Sequence, residues 1–532
     1  MIDSTAEYKA AITADARKTM LKAIINISDP DMTYGAITSS GEAAFSRADQ
    51  LIDKEFSPSP NYVTLEKHRW LLNGKCKIIP ENNIIPGQAG FVGDSLSGDG
   101  GTFDSPAWVE ISFANVDILQ AFSVYFPDNA IDGCARDFTV EVKSGGNARF
   151  TKTIAGNTAD HISFDGFTVN NPDAIRITVS KWSLPSRRMR IPEIILGVYE
   201  EWDNDIIAAF DVVQQGDISC MSLPYGTCTL RMDNQSRRFE PRNKDGIFKS
   251  IEERQGIDIR IGVRLQNGEN EFKRVGIYYQ YSGGWKTGDN GLTMTWNLVD
   301  IIGLLSGREF IPPAVLPTTL EGWLASIVSQ LGSNFASYYK VDSGYADISV
   351  TANSVDDVSG KSCGDILRYA CMASGTWPRA DASTGYLAAS PLWNKGNTLD
   401  LDNMSSYPVV RANADIGAII FKLYDGENTQ HIVDGTSVSS ANTISISNPF
   451  IHTTEQADNA AQLILAAYGG NQMEITGRGD PASEIGDVDT VWLDEDNSTA
   501  GRRIYQSFTI QGGVLRNCKS TLLQSGNGGE SS

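Results

Sequence analysis

Three closely spaced carboxylate pairs, Asp203/Asp205, Asp356/Asp357 and Asp494/Asp496, are the residues whose types best suit acid–base chemistry. A glycosidase works with two carboxyl groups roughly 5–10 Å apart, one protonating the leaving oxygen and the other acting as nucleophile or base. Sequence spacing does not give that separation, and a chain of net charge −21 carries such pairs on its solvated surface as a matter of course. Histidine is scarce: His68, His161, His431 and His452 lie far apart and form no His-Glu-x-x-His. The cysteines at 76, 134, 220, 228, 363, 371 and 518 include no Cys-x-x-Cys, which disfavours zinc ribbons and dithiol redox motifs. They read as buried free thiols made in a reducing compartment. No catalytic set, metal set or cofactor motif is expected, because Gly-x-x-x-x-Gly-Lys-Ser/Thr and a helix-opening Gly-x-Gly-x-x-Gly are also missing.

Two further stretches imitate sites. Gly93-Asp-Ser-Leu-Ser-Gly-Asp-Gly-Gly101 resembles a calcium loop but lacks the alternating carboxylates and closing Glu, so a mobile loop is expected there. Arg478-Gly-Asp480-Pro481 contains the tripeptide that integrins read, yet Gly-Asp-Pro between strands is first a turn signal. The aromatics Trp108, Trp182, Trp285, Trp377 and Trp393 could stack on sugars. Trp108 lies inside an alternating strand and is assigned to the core. Trp182, in the loop running to Arg188, is the better sugar platform, with Arg187 and Arg188 beside it as candidate glycan contacts; the plainer role for Trp182 is packing at a rim.

The elements that would hold such residues are mostly strands. At ~150 residues per domain, 532 residues suggest three or four domains. The 50 glycines suit a turn-rich β protein. Between 61 and about 200, Val109, Ile111 and Phe113 alternate with Trp108, Glu110 and Ser112, and Phe138/Val140/Val142 and Ile175/Ile177/Val179 repeat that period, as expected of a β-sandwich. Ile257, Ile259, Ile261, Val263 and Leu265 form the clearest strand, ending in the hairpin signal Asn267-Gly268. Met20 to Ile27 also alternates as a strand. Helices are expected after Thr318-Thr-Leu-Glu321, near Ser362, and after Thr453-Thr-Glu-Gln456.

The acidic balance excludes a sequence reader of nucleic acid, which presents a basic face. It suits a wall that must not adhere to a passing polyanion. The N-terminus lacks a basic and apolar leader pattern, and no apolar run approaches the ~20 residues of a membrane span. Synthesis in the cytoplasm is expected.

Residues 217–245 are dense in turn signals and empty of catalytic types. With Leu223-Pro-Tyr-Gly226, Met232-Asp-Asn234 and Phe239-Glu-Pro241, the stretch from Ile206 resembles the tail hub (tail-tip, baseplate-hub-like) proteins of tailed bacteriophages and phage-like particles. So do Ser447-Asn-Pro-Phe-Ile451 with its following helix, and Gly477-Arg-Gly-Asp-Pro481 with Glu484-Ile-Gly-Asp487. Pro106-Ala-Trp-Val-Glu-Ile111, Phe138 to Val142, Ile175 to Val179 and Pro192 to Leu196 are similar to galactose-binding-like (discoidin-type) jelly rolls, which bind ligands with loops at one end.

The resemblance implies a mainly β (α+β) protein: hub-type β-barrel domains, a small helical region and an inserted jelly-roll β-sandwich. It divides the chain into a discontinuous first hub barrel (1–60 plus 190–240), the insertion (61–189) and a second β domain (241–310). An α/β helical domain (311–400), a C-terminal hub β domain with one helix (401–524) and a flexible tail (525–532) complete it. It further implies a homotrimer at the virion tail tip, joining the hexameric tail tube and distal tail protein to the tip and lining or closing the DNA channel. Expected neighbours are the distal tail protein, the tape measure protein, the tail tube and receptor-binding proteins, with host cell-surface glycan as a ligand of the insert. DNA would pass without sequence-specific binding. No enzymatic activity and no cofactor is implied. The rival reading is a cell-wall hydrolase, or an adhesin, carrying a carbohydrate-binding module.

Overall fold

The computed structural model describes residues 2–27, 33–51, 64, 66, 67, 69, 90–116, 118–127, 131–164, 167–240, 243, 255–332, 335–413, 416–423, 428–432, 436–468, 470–512 and 514–524. The expected flexible tail at 525–532, His68 and Cys76 lie outside them. The chain forms two compact units: Asn26–Glu200, and Met1–Ile25 together with Glu201–Ser532. The protein is mainly β.

In the larger unit the strict alternation at 257–263 buries every second side chain. Ile257, Ile259, Ile261 and Val263 are each 0% exposed, and the strand runs Gly256–Arg264. It belongs to a 13-stranded sheet whose main path is Val198–Trp202, Thr19–Ile27, Gly256–Arg264, Asn270–Gly288, Thr293–Val299, Thr227–Asp233, Ile207–Gln215, Ser498–Gln511, Val514–Gln524, Gln472–Gly477 and Val409–Arg411. The sheet curls. Leu515 N donates to Thr19 Oγ1 at 3.2 Å, which brings the strand Thr19–Ile27 against Val514–Gln524, far along the path. The chain leaves this sheet through Thr19–Ile27 and re-enters through Val198–Trp202, its neighbour. Strands from 256 to 299 share the sheet with Thr227–Asp233, so residues 241–310 contribute to one continuous layer rather than a separate sheet.

Three capped helices pack beside the sheet. Thr319 caps Leu320–Ser329, one residue later than the Thr318 pattern suggests, and Leu320, Trp323, Leu324, Ile327 and Val328 are wholly buried. Ser362 and Asp365 form a reciprocal capping box for Cys363–Ser374, which ends at left-handed Gly375. Gln456 N donates to Thr453 Oγ1 and Gln456 Oε1 accepts Thr453 N, both at 3.2 Å, opening Thr454–Tyr468. A further helix, Ala6–Thr13, is capped by Thr5 and buries only Tyr8, Ala11 and Ile12. Its apolar stripe is too thin to announce it in sequence.

In the smaller unit, a five-stranded sheet runs Thr33–Ser39, Thr102–Ala114, Ala174–Trp182, Ala135–Ser144 and Asn147–Ile154. Glu193–Leu196, Phe122–Tyr125 and His161–Phe164 form a second sheet. The core between includes Val109, Ile111, Val140, Ile177 and Trp182, all 0% exposed. Thr33–Ser39 pairs with Thr102–Ala114, so this unit starts well before residue 61.

Candidate functional site

The paired carboxylates are turn and cap devices. Asp203 Oδ1 accepts the amide of Asp205 at 2.9 Å. Asp494 Oδ1 accepts the amides of Asp496 and Asn497 at 2.9 and 2.8 Å. Asp357 Oδ2 accepts Ser354 N at 2.9 Å at the start of a short 3-10 turn. Each closes its own loop through a local side-chain-to-backbone bond. Among the described residues no group of three or more His, Cys, Asp or Glu side chains could hold a metal ion. Within Gly93–Gly101, residues up to Leu96 lie on a strand, Phe91–Leu96, paired with Arg188–Ile191, instead of in the mobile loop expected. Gly98 and Gly101 make the turn that follows, with Gly101 at φ +81°.

Trp108 and Trp182, both in the smaller unit, each depart from the role expected of them. Trp182 is 0% exposed, its Nε1 donates to Asp132 O at 2.6 Å, and Phe126 meets its ring edge-on at 6.1 Å. It offers no face to a sugar. By strict alternation from Ile175, Ile177 and Val179, residue 181 would point inward. Register shifts on both sides of Lys181 turn Trp182 inward in its place. Trp108 shares the outward parity of Glu110 and Ser112, and the Arg176 guanidinium lies 3.8 Å from its ring centre.

Arg187 and Arg188 are likewise structural. Arg187 is 5% exposed and donates to Ile131 O and Lys67 O, both at 2.6 Å. Arg188 donates to Gly93 O at 3.4 Å and also to Asp94 O. Beneath them Arg190 holds Glu66 bidentately, with Nη1 2.8 Å from Oε2, and Arg69 Nε meets Asp132 Oδ1 at 2.6 Å. Burial works to raise the Glu66 carboxyl, but Arg190, Arg69 and the Arg188 amide outweigh it and hold it below the ordinary range. The cluster ties Glu66 and Arg69 to the sandwich. Nothing in the sequence pairs Arg190 with a partner more than a hundred residues away.

In the larger unit the turn-rich stretch is a junction. Asp217 accepts the amides of Ser219 and Ser222, each at 2.8 Å, and fixes the loop that carries Ile218 and Cys220 into the helical core. Arg368 donates to Met221 O at 2.6 Å, and Cys220, at φ +56°, points its Sγ at Thr376 O, 3.4 Å away. Asp300 accepts Gly226 N at 2.6 Å and Gly303 N at 2.9 Å, so it closes the Leu223–Gly226 turn and caps Ile301–Ser306. An Asp directly before Ile301-Ile302 is a legible N-cap signal, but the turn it serves is remote in sequence. Asn234 is buried, accepting Phe239 N at 3.0 Å and donating to Gly291 O at 2.9 Å.

A cavity of about 30 Å³ lies nearby, lined by Gln214, Tyr278, Asp300, Arg379, Asp381 and Glu484. It has room for one or two waters and none for a sugar ring. Burial works to raise the Asp381 carboxyl, yet Arg379, the Ser383 hydroxyl, Lys340 and the Thr384 amide together hold it well below the usual range.

The Arg-Gly-Asp tripeptide is turned inward as a clasp. Arg478 donates to Thr13 O at 3.1 Å, Arg17 donates to Gly479 O at 3.1 Å, and Tyr8 donates to Asp480 Oδ1 at 3.1 Å. Its side chains bind the N-terminal helix.

The fold is therefore a curled β unit with attached helices, interrupted by a β-sandwich. No protein-family model and no curated protein matches the chain. Among solved structures, it is similar to a tail protein of Neisseria meningitidis MC58, with TM-score 0.42, 12% identity and coverage of 62% of this chain and 94% of that one. It is also similar to the 43 kDa tail protein of prophage MuSo2 from Shewanella oneidensis (TM-score 0.39, 16% identity, 62% and 95% covered). A fucose binding module of Streptococcus pneumoniae matches 32% of this chain over 94% of its own length, with TM-score 0.21 and 12% identity.

Proposed function

We propose that this protein is a structural subunit of a phage-like tail tip: a homotrimeric hub that joins the tail tube and distal tail protein to the tip, around a channel through which DNA passes. The observation that carries the reading is the interrupted unit. The strand leaving the large sheet and the strand returning to it are neighbours. In between, 175 residues, Asn26–Glu200, fold as a unit of their own. That is how a hub barrel with a domain inserted at its edge would be threaded, and the Leu223–Gly226 turn lies in the same unit as the first strand. The motifs that carry the hub resemblance, at 223–226, 478–481 and 484–487, serve as joints, which suits a part whose work is mechanical. The sandwich is the module that meets host glycan, through loops rather than through Trp182, Arg187 or Arg188.

Light scattering on the purified protein tests the hub, with three times the chain mass expected; a stable monomer, alone and with its tail neighbours, rejects it. A glycan array probed with the full chain tests the sandwich, and a blank array removes the host-contact role. The hydrolase reading predicts clearing of cell wall in a zymogram, and none is expected here.

A further inference from the structure

We infer that the rim formed by Asp160 and His161 is the saccharide contact of the smaller unit, with a neutral pyranose as its ligand, an inference that rests on the glycan-binding reading. The rim lies where the chain passes from the strand Asn147–Ile154 into His161–Phe164. His161 pairs across the sheet with Tyr125, and the two rings stack with centres 5.4 Å apart and planes 13° apart. Tyr125 is buried, whereas the His161 side chain is 56% exposed. One face of the imidazole therefore rests on a fixed support and the other is turned to solvent. Asp160 is 52% exposed, and its Oδ1 lies 3.1 Å from His161 Nδ1. That contact assigns the proton to Nδ1, which leaves Nε2 and the second carboxylate oxygen as acceptors.

The loop that leads to this pair is firmly built for a stretch of exposed residues. Asn157 Nδ2 donates to Ala135 O at 2.8 Å and to Ala159 O at 3.1 Å, and its Oδ1 accepts Ala159 N at 2.9 Å. Asn157 N donates to Arg136 O at 2.9 Å, and Gly156, at φ +74°, donates its amide to Asp137 Oδ1 at 2.7 Å. Phe126 N donates to Asp160 O at 2.6 Å. The pair is thus fixed before a ligand arrives, which lowers the ordering cost of binding. Small residues at Ala155, Gly156, Thr158 and Ala159, all exposed, leave room beside the ring. A pyranose presents an apolar C–H face and a girdle of hydroxyls, so an aromatic support with acceptors at its edge fits it. Among the described residues no Lys or Arg forms an ion pair with Asp160, so its charge stays open toward the ligand and disfavours an acidic sugar.

The test probes an array of immobilised neutral saccharides, ending in galactose, glucose, mannose or N-acetylglucosamine, beside acidic ones ending in sialic acid. The intact wild-type chain is compared with His161→Ala, Asp160→Ala and His161→Phe, with circular dichroism as the check on folding. Both side chains are exposed, so all three variants are expected to fold as wild type. The neutral-saccharide signal is expected to fall at least tenfold in His161→Ala and in Asp160→Ala. His161→Phe, which keeps a ring on Tyr125, is expected to retain most of it, a rescue that a merely structural role for the imidazole nitrogens would not give. A signal kept by both alanine variants overturns this site and leaves the glycan reading standing. Binding confined to the acidic saccharides overturns the ligand class. A blank wild-type array removes the glycan reading and this inference with it.

Discussion

Asp300 and Gly226, 74 residues apart in the chain, are joined by a 2.6 Å hydrogen bond from the glycine amide to the carboxylate. The other carboxylate oxygen accepts Gly303 N, so one buried side chain fixes both the turn that enters the strand Thr227–Asp233 and the first turn of helix Ile301–Ser306. Gly226 packs tightly here: a Cβ on it would lie 2.8 Å from Asp300 Oδ2 and 3.1 Å from Val213 O.

Replacing Asp300 by Ala leaves two amides without their acceptor and is expected to cost about 2–4 kcal/mol in urea unfolding. Asp300→Asn, which keeps one acceptor, costs less and separates the charge. Burial raises the Asp300 carboxyl from 3.8 to about 6, against the lowering pull of the Gly303, Gly226 and Ile302 amides. A carboxyl that holds its proton more tightly folded than unfolded adds stability as pH falls through about 6 and loses it as pH rises. Wild type is therefore expected to lose on the order of 2–3 kcal/mol relative to Asp300→Asn between about pH 4 and pH 7. Parallel unfolding curves across that range would remove the assignment.

The Glu66 cluster has the opposite sign. Its carboxyl is held low in the fold, so its contribution is present above the unfolded pKa and fades as pH falls through the lowered folded one. Glu66→Gln leaves Arg190 and Arg69 to share the single buried carboxylate of Asp132 and is expected to destabilise the protein by about 3–5 kcal/mol at neutral pH. The deficit should shrink on acidification. Unfolding followed by tryptophan fluorescence at both pH values measures it, and a deficit independent of pH points to packing alone.

Much of the strand content was legible because it rests on period. The alternation at 257–263 and 109–113 survives into the fold unchanged, since each face is either buried or wet. The capped helices were legible from Ser362, Thr453 and, one residue displaced, Thr319. The site candidates were less so, for a physical reason. Trp182 reads as part of a loop, but the strand Ala174–Trp182 runs on to include it and a register shift beside Lys181 turns it inward; a bulge leaves no mark in residue types. Arg187 and Arg188 have the composition of a binding loop, but their partners, Lys67 O, Ile131 O and Gly93 O, are backbone carbonyls that no side-chain pattern announces.

Trp108 and Trp182 give a direct comparison. Trp182→Ala empties a wholly buried site and frees Asp132 O, so a loss of about 3–5 kcal/mol is expected. Trp108→Ala removes a half-buried ring stacked under Arg176 and should cost clearly less, about 1 kcal/mol. Equal costs in denaturant would mean that the parity assigned to these residues is wrong.

Gly486 is the residue on which the Glu484–Asp487 motif turns. It adopts φ +98°, and a Cβ there would overlap the ring of Trp393 and lie 2.7 Å from Trp377 Cζ2. These two rings stack with centres 5.5 Å apart, and Asp487 Oδ1 accepts Trp393 Nε1 at 3.2 Å. Gly486→Ala must therefore meet an unfavourable backbone region and push apart a stacked pair whose inner member, Trp377, is 0% exposed. Together these should destabilise the protein by about 2–4 kcal/mol and shift the near-ultraviolet dichroism of the pair. Gly512→Ala is the control: it shares the left-handed backbone at φ +59° but has open space around its Cβ, so it should cost only the backbone part, about 1 kcal/mol. If the two variants unfold at the same denaturant concentration, the glycine at 486 is required by its backbone alone and not by the tryptophans packed upon it.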